Sequence, residues 1–173
     1  MNRRTALTVA TMALLCAGVV FPMSDTVAQQ KSLKDQLVGT WTFISAVETS
    51  QDGTKKDRWG PNPKGAFILD ANGRYAFMIF RSDIRGFAID NVNQGTAAEN
   101  KAVVQGVIAN IGTWSVDEAT KTVTTNVEAG TFPNLNGRSQ KRVIRSLTAD
   151  ELRYTNPAST TGAVAEAVWK RAK

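Results

Sequence analysis

The sequence contains no histidine, and its only cysteine, Cys16, lies in a segment that we expect to be removed from the mature protein. A chain without these two residue types cannot form a Ser-His-Asp triad, a cysteine nucleophile or a histidine general base. Zinc, haem and iron–sulfur sites of ordinary ligation are excluded for the same reason. Carboxylate, Lys, Tyr and Arg chemistry remains open, as does binding of Ca²⁺ or Mg²⁺ by oxygen ligands. We predict no catalytic residue, no cofactor and no metal site, and a binding protein in preference to an enzyme.

Residues 1–28 have the three parts of a secretory signal peptide. Asn2 to Arg4 is basic, Ala6 to Phe21 is apolar, and Thr26 to Ala28 supplies small residues for cleavage before Gln29. The apolar run is short for a helix that spans a membrane. We therefore predict export to the periplasm or beyond by the general secretory route, with twin-arginine export less favoured, and no stable membrane anchor after cleavage.

The chain is basic, with 21 Lys and Arg residues against 15 Asp and Glu residues and a net charge of +6. Such a balance can attract nucleic acids or anionic surfaces. Between Arg138 and Arg145, however, the basic residues are interleaved with Val143 and Ile144, which is typical of the two faces of a strand. We interpret the basic residues as solvated strand faces and predict no nucleic-acid partner. We also expect a monomer.

The mature chain is predicted to have a polar lead-in at 29–36 and a single domain at 37–173. About eight short strand-like segments follow one another at regular spacing, separated by turn residues. The clearest hairpin surrounds Asp70 to Gly73, because its Asn-Gly pair favours a tight reversal. This spacing predicts an all-β fold, an antiparallel meander that closes into a barrel.

One helix is predicted at about 97–110. The sequence Thr96-Ala97-Ala98-Glu99 is a capping box, in which the Thr and Glu side chains satisfy free N–H groups of the first helical turn. Apolar residues then recur at the spacing of one helix face, at Val103, Val104, Val107 and Ile108. Such a helix would cover an open barrel end or pack against the barrel wall.

The strand from Arg74 to Phe80 is apolar on both faces. Tyr75, Phe77 and Ile79 alternate with Ala76, Met78 and Phe80. A half-exposed strand normally carries polar residues on one face. The pattern therefore indicates a strand that is covered on both sides or that lines an apolar cavity.

Several motifs resemble those of the lipocalin-like domain that occurs in many bacterial proteins. They lie in order between Leu37 and Arg171: Gly-Thr-Trp at 39–41 and again at 112–114, Gly-Pro-Asn-Pro-Lys-Gly at 60–65, Asp-Ala-Asn-Gly-Arg-Tyr at 70–75, Phe-Pro-Asn at 132–134 with Gly137 and Arg142, and Trp-Lys-Arg at 169–171. The resemblance implies a small β-barrel of the calycin group, whose members bind small hydrophobic molecules. It also implies that a basic residue of the last strand packs over the first-strand Trp. The residues expected to close the barrel are Gly39, Trp41, Trp169 and Arg171 (or Lys170).

We predict non-covalent binding of a small hydrophobic or amphipathic molecule in the barrel interior. The expected contact residues are Phe67, Tyr75, Phe77, Ile79 and Trp114, with Arg81 and Arg142 as polar groups. A buried Arg paired with a carboxylate could orient an acidic head group of the ligand.

Two alternatives stay open at this point. One is a small isomerase, cyclase or lyase that uses Tyr75 and carboxylates such as Glu128 and Asp83. The other is a structural barrel with a packed interior that binds a protein through its loops, since eight-stranded barrels are either filled by side chains or hold one small ligand.

Overall fold

The computed structural model describes residues 31–173, which form two α-helices and nine β-strands. The predicted signal peptide and the first two residues of the lead-in, 29 and 30, lie outside these residues. In chain order the elements are α1 (Leu33–Leu37), β1 (Gly39–Thr49), β2 (Lys55–Asp57), β3 (Lys64–Leu69), β4 (Arg74–Phe80), α2 (Ala97–Gly106), β5 (Val107–Asp117), β6 (Thr122–Gly130), β7 (Ser139–Leu147), β8 (Glu151–Asn156) and β9 (Val164–Arg171). Neither described helix is long and apolar enough to cross a membrane.

The strands form one antiparallel sheet in the order β2-β1-β3-β4-β5-β6-β7-β8-β9, and β1 also pairs with β9. This last pairing closes β1 and β3 to β9 into an eight-stranded barrel, which confirms the predicted all-β meander. The additional strand β2 pairs only with the end of β1, from Val47 to Thr49. Its three residues are all exposed, so β2 lacks the apolar alternation by which the other strands were predicted.

The predicted helix is present but ends four residues early, at Gly106. Its capping box forms as expected, because the Thr96 amide donates to Glu99 Oε2 at 2.7 Å and the Glu99 amide to Thr96 Oγ1 at 3.2 Å. Val107 and Ile108 instead begin β5, where they pair with Phe80 and Ile79 of β4.

The prediction that these valines and Ile108 form one apolar helix face is therefore wrong. Val104 is 71% exposed, whereas Ile108 is buried inside the barrel. Valine and isoleucine fit strands as well as helix faces, and the adjacent β4 supplies a full ladder of backbone partners for them. The local period of apolar residues could not reveal this competing partner.

The two apolar faces of β4 have different environments. Tyr75, Phe77 and Ile79 are buried in the barrel, while Phe80 on the outer face is 38% exposed. Within residues 31–173 the outer face is only half covered, so the strand is not covered on both sides. The other alternative, that it lines an apolar cavity, is met by Phe77 and Ile79.

The barrel core is a cluster of aromatic rings that meet mostly edge to face. Phe67 is central to it, with its ring centroid 5.4 Å from that of Phe77 and 5.8 Å from that of Trp169. Phe43 contacts Trp169 at 4.8 Å, and Tyr154 stacks on Trp169 at 6.4 Å. Offset and edge-to-face pairs of this kind add to the free energy gained by burial. The middle of the barrel is therefore filled by side chains.

One end of the barrel is sealed by Arg171 of β9. Its guanidinium lies 4.0 Å over the Trp41 ring and donates to the carbonyl oxygens of Gln36 and Val38 at 2.5 and 3.0 Å. Gly39 has a φ of +129°, and a Cβ atom there would lie 2.9 Å from Arg171 Nη1. The positive φ therefore favours glycine, and a larger residue would also displace the Arg171 guanidinium.

The second Gly-Thr-Trp segment reaches the same end of the barrel. The Trp114 indole donates to the Asp70 carbonyl at 2.9 Å, much as the Trp41 indole donates to the Leu37 carbonyl at 2.9 Å. Lys34 of α1 lies over the Trp114 ring, with Nζ 6.0 Å from the ring centroid. The short helix α1 thus covers an end that two tryptophans already fill.

Candidate functional site

A cavity of about 60 Å³ lies inside the barrel at the end opposite α1. Its apolar wall includes Trp59, Phe77, Ile79, Ile108 and Leu135. Its polar groups include those of Glu48, Arg58, Asn110, Gln140, Arg142 and Tyr154, and Asn156, Ser159 and Thr160 also line it. Mostly apolar walls with a few convergent polar groups are characteristic of small-molecule sites.

A larger open groove of about 750 Å³ lies outside this cavity, and we call it the vestibule. Lys56, Arg81 and Thr161 are among its lining residues. Glu48 and Arg58 line both the vestibule and the cavity, so they mark the boundary between the two.

Polar side chains connect the two loops at this boundary, and we call Glu48, Arg58, Thr160 and Thr161 the mouth cluster. Arg58 Nη1 donates to Thr160 Oγ1 at 2.7 Å and lies 3.7 Å from Glu48 Oε1. Thr161 Oγ1 donates to Glu48 Oε2 at 2.9 Å. These bonds join the β2–β3 loop to the β8–β9 loop across the barrel mouth.

Arg142 of β7 points into the barrel and is only 4% exposed. Its Nη1 donates to Thr125 Oγ1 at 2.6 Å. Its Cζ lies 5.0 Å from the centroid of Phe77, 5.4 Å from that of Phe67 and 5.7 Å from that of Tyr154. The guanidinium is therefore held among three aromatic rings at the wall of the cavity.

The charge of Arg142 is not balanced by the residues that surround it. None of the four ion pairs formed by residues 31–173 includes Arg142, and its buried Nε has no hydrogen-bond acceptor among them. Burial raises the pKa of the Tyr154 phenol, so this neighbour is neutral and supplies no negative charge. An arginine remains charged when it is buried.

The aromatic rings offset part of the cost of this burial but supply no negative charge. Transfer of one charge into a protein interior costs several kcal/mol. A buried cation–π contact returns about 2 kcal/mol or more, and Arg142 makes three such contacts. Ring faces also do not accept N–H groups as a carbonyl or carboxylate oxygen does. The cavity wall therefore carries a positive charge and at least one donor that residues 31–173 leave unsatisfied.

The predicted contact residues do not form a single group. Phe77, Ile79 and Arg142 line the cavity, while Phe67 and Tyr75 lie in the filled core beside it. Trp114 belongs to the sealed end, where it donates to Asp70. Arg81 lies outside the barrel, lines the vestibule and pairs with Asp83 at 2.5 Å.

Sequence reasoning missed several cavity residues, including Trp59, Tyr154, Asn110 and Gln140. Trp59 could have been found from the sequence. It stands directly before a Gly-Pro loop and outside any predicted strand, and a tryptophan is usually buried, so it was a candidate for contact with the barrel interior. Asn110 was assigned to the predicted helix, and the change to β5 is what turns it inward.

The acid–base pair considered for an isomerase or lyase is not assembled. Glu128 pairs with Arg74, and Asp83 pairs with Arg81. The side chains of both ion pairs are about half exposed. Hydrogen bonds from these arginines hold the pKa of each carboxyl below its usual value. Burial raises the pKa of Tyr75, whose hydroxyl donates to Asn110 Oδ1 at 2.8 Å. These groups are therefore not arranged for proton transfer.

The chain was compared with known proteins. A redesigned β-barrel, b11L5F_LGL, is 12% identical with a TM-score of 0.42 and covers 83% of this chain and 100% of its own. A second redesigned β-barrel, mFAP1 bound to DFHBI, is 14% identical with a TM-score of 0.41 and covers 82% of this chain and 100% of its own. No curated protein matches the chain.

A sequence model of the lipocalin-like domain matches residues 38–172, almost the whole described region. The eight-stranded closed barrel is the fold that the motif resemblance implied. The chain belongs to the lipocalin-like domain family.

Proposed function

We propose that the barrel binds a small, mostly apolar molecule non-covalently in the cavity at its open end. The observation that carries this proposal is the asymmetry of the interior. One end is sealed by Arg171, Trp41 and α1, whereas the other holds a cavity that adjoins a wide vestibule. A barrel that served only as a structural support would gain stability from filling this space.

The volumes limit how such a ligand is placed. Pockets for drug-sized ligands measure about 300–1,000 Å³, and one water needs about 10–15 Å³. A cavity of about 60 Å³ therefore holds only a few non-hydrogen atoms. The rest of the molecule would pass Glu48 and Arg58 into the vestibule, which has room for it. The ligand is thus expected to be narrow at its inner end.

Binding can be tested with 1-hexanol as the probe. We expect saturable NMR shifts confined to residues of the cavity, with a dissociation constant of about 1 mM or below. Ala165→Leu places a larger side chain at the cavity wall and should abolish these shifts while the barrel stays folded. Val164→Leu adds bulk at the next residue of β9, on the outer face, and should leave binding unchanged.

The proposal would be wrong if wild-type protein showed no saturable shifts in the cavity. It would also be wrong if Ala165→Leu bound 1-hexanol as well as Val164→Leu did. If binding is observed, native mass spectrometry of protein purified without detergent would identify the physiological ligand by its mass.

We also propose that the barrel acts in the periplasm or outside the cell, since residues 1–28 have the sequence of a secretory signal peptide. The full chain expressed in bacteria should appear in the osmotic-shock fraction with Gln29 as its N-terminus. A chain that lacks residues 2–28 should remain in the cytoplasm. Recovery of uncleaved chain in the cytoplasm would contradict this location.

A further inference from the structure

We propose that the ligand carries a carboxylate, which enters first and binds to Arg142. This inference rests on the proposed function, because it names the chemical class of the molecule that occupies the same cavity. The starting observation is a buried guanidinium at the cavity wall that lacks a counter-charge among residues 31–173.

Arg142 lacks a counter-charge, which a carboxylate in the cavity supplies. Its positive charge has no carboxylate within 4.0 Å in the described part of the chain, and its Nε has no acceptor there. A carboxylate supplies one negative charge and two acceptor oxygens in the plane that a guanidinium recognises. A neutral alcohol or ester supplies no charge, so it would leave the positive charge of Arg142 unbalanced.

Neighbouring polar groups also favour an acceptor. Asn110 Oδ1 accepts a hydrogen bond from the Tyr75 hydroxyl at 2.8 Å. The two N–H donors of the Asn110 amide remain available to a ligand. The Tyr154 phenol is kept protonated by burial, as its raised pKa indicates. Together with Arg142, these residues present donors at the inner end of the cavity.

The cavity has an outer and an inner layer of side chains, and their order determines which end of the ligand enters first. Ile79 pairs with Ile108 near the mouth, whereas Phe77 pairs with Asn110 two residues deeper, about 7 Å along the strands. Arg142, with Cζ 5.0 Å from the Phe77 ring, belongs to the deeper layer. A ligand with an acidic head and an apolar tail fits these layers only with its head inward. Its tail then contacts Ile79 and Ile108 and extends towards the mouth.

Charges outside the cavity favour the approach of an anion. The vestibule is lined by Lys56, Arg58 and Arg81 against Glu48 and Asp52, and Arg81 is paired with Asp83. Residues 29–173, the expected mature chain, carry 19 Lys and Arg residues against 14 Asp and Glu residues, a net charge of +5. A basic surface raises the local concentration of anions and their rate of association. The proposed ligand class is therefore a short-chain or narrow monocarboxylic acid.

The test compares hexanoate with 1-hexanol, which have the same chain length and differ in the head group. Affinities are measured by NMR titration at pH 7 for the wild type, Arg142→Met and Lys141→Gln. Lys141 is the matched control, because it is the next residue of β7, is exposed, and loses the same charge on substitution. We expect the wild type and Lys141→Gln to bind hexanoate about 10- to 100-fold more tightly than 1-hexanol. We expect Arg142→Met to lose this preference while it still binds 1-hexanol.

The outcomes separate this inference from the proposed function. If wild-type protein binds neither probe, the proposed function fails and this inference fails with it. If it binds both equally, the binding function stands and the carboxylate assignment is overturned. A preference for hexanoate that survives in Arg142→Met also overturns the assignment. The first two comparisons use the wild type alone, so they remain decisive even if Arg142→Met does not fold.

Discussion

Replacement of Gly112 by alanine is expected to destabilise the barrel by more than about 3 kcal/mol, a large share of the 5–15 kcal/mol that stabilises a typical domain. A Cβ atom at this position would overlap the Asn126 carbonyl oxygen and lie 3.1 Å from the Glu128 amide nitrogen. Both atoms belong to the backbone of β6, so no side-chain rotation relieves the overlap. The register of β5 and β6 shifts between Ile111 and Gly112, where the two backbones approach. Urea denaturation of the purified variant measures the loss.

Gly86→Ala is the control for this prediction. A Cβ atom at Gly86 meets no other atom within 4 Å, so its change in the free energy of unfolding should stay within about 0.5 kcal/mol. If Gly112→Ala unfolded at the same urea concentration as Gly86→Ala, the close pairing of β5 and β6 would be incorrect.

Arg142→Met is expected to stabilise the ligand-free protein, by about 1–4 kcal/mol. Methionine has a similar length, carries no charge, and packs well against the Phe67, Phe77 and Tyr154 rings that surround Arg142. Replacement of an unbalanced buried charge by an apolar side chain removes a desolvation cost. Thermal and urea denaturation of ligand-free protein measure the gain, and Lys141→Gln should change stability by no more than about 0.5 kcal/mol.

Ligand should narrow or reverse the stability difference between Arg142→Met and the wild type. A ligand that binds only the folded state adds RT ln(1 + [L]/Kd) to its stability, about 2.7 kcal/mol at a concentration of 100 Kd. Hexanoate should therefore raise the melting temperature of the wild type and have little effect on Arg142→Met. A ligand-free Arg142→Met that is less stable than the wild type by 2 kcal/mol or more would show that Arg142 is already balanced in the empty barrel. That result would contradict the account of Arg142 given above.

The sequence predicted the structure correctly where interactions between neighbouring residues determine it. The Asn72-Gly73 turn joins β3 to β4, and the Thr96–Glu99 capping box begins α2, both as predicted. The regular spacing of strands and turns predicted a closed meander, and the barrel has that topology. In these places the signal and the structure involve the same few residues.

Prediction failed where a distant strand competes with local preference. The residues after Gly106 have the spacing of a helix, yet β4 lies alongside them and takes them into the sheet. Arg81 and Arg142 were equivalent candidates in the sequence, but Arg81 lies outside the barrel and Arg142 within it. The face that a strand turns inward depends on its register with partners far away in the chain.

The sequence by itself determined the class of the protein and the chemistry it lacks. The chain has no histidine, and its only cysteine lies in the predicted signal peptide, so sites that depend on these two residue types are excluded from residues 29–173. Its motifs specify a lipocalin-like barrel. The tertiary structure alone decided that one end is sealed, that a small cavity remains at the other, and that a single arginine is buried there. Composition and short motifs describe neighbours along the chain. A cavity and an unbalanced charge are defined by neighbours in space, which only closure of β1 on β9 brings together.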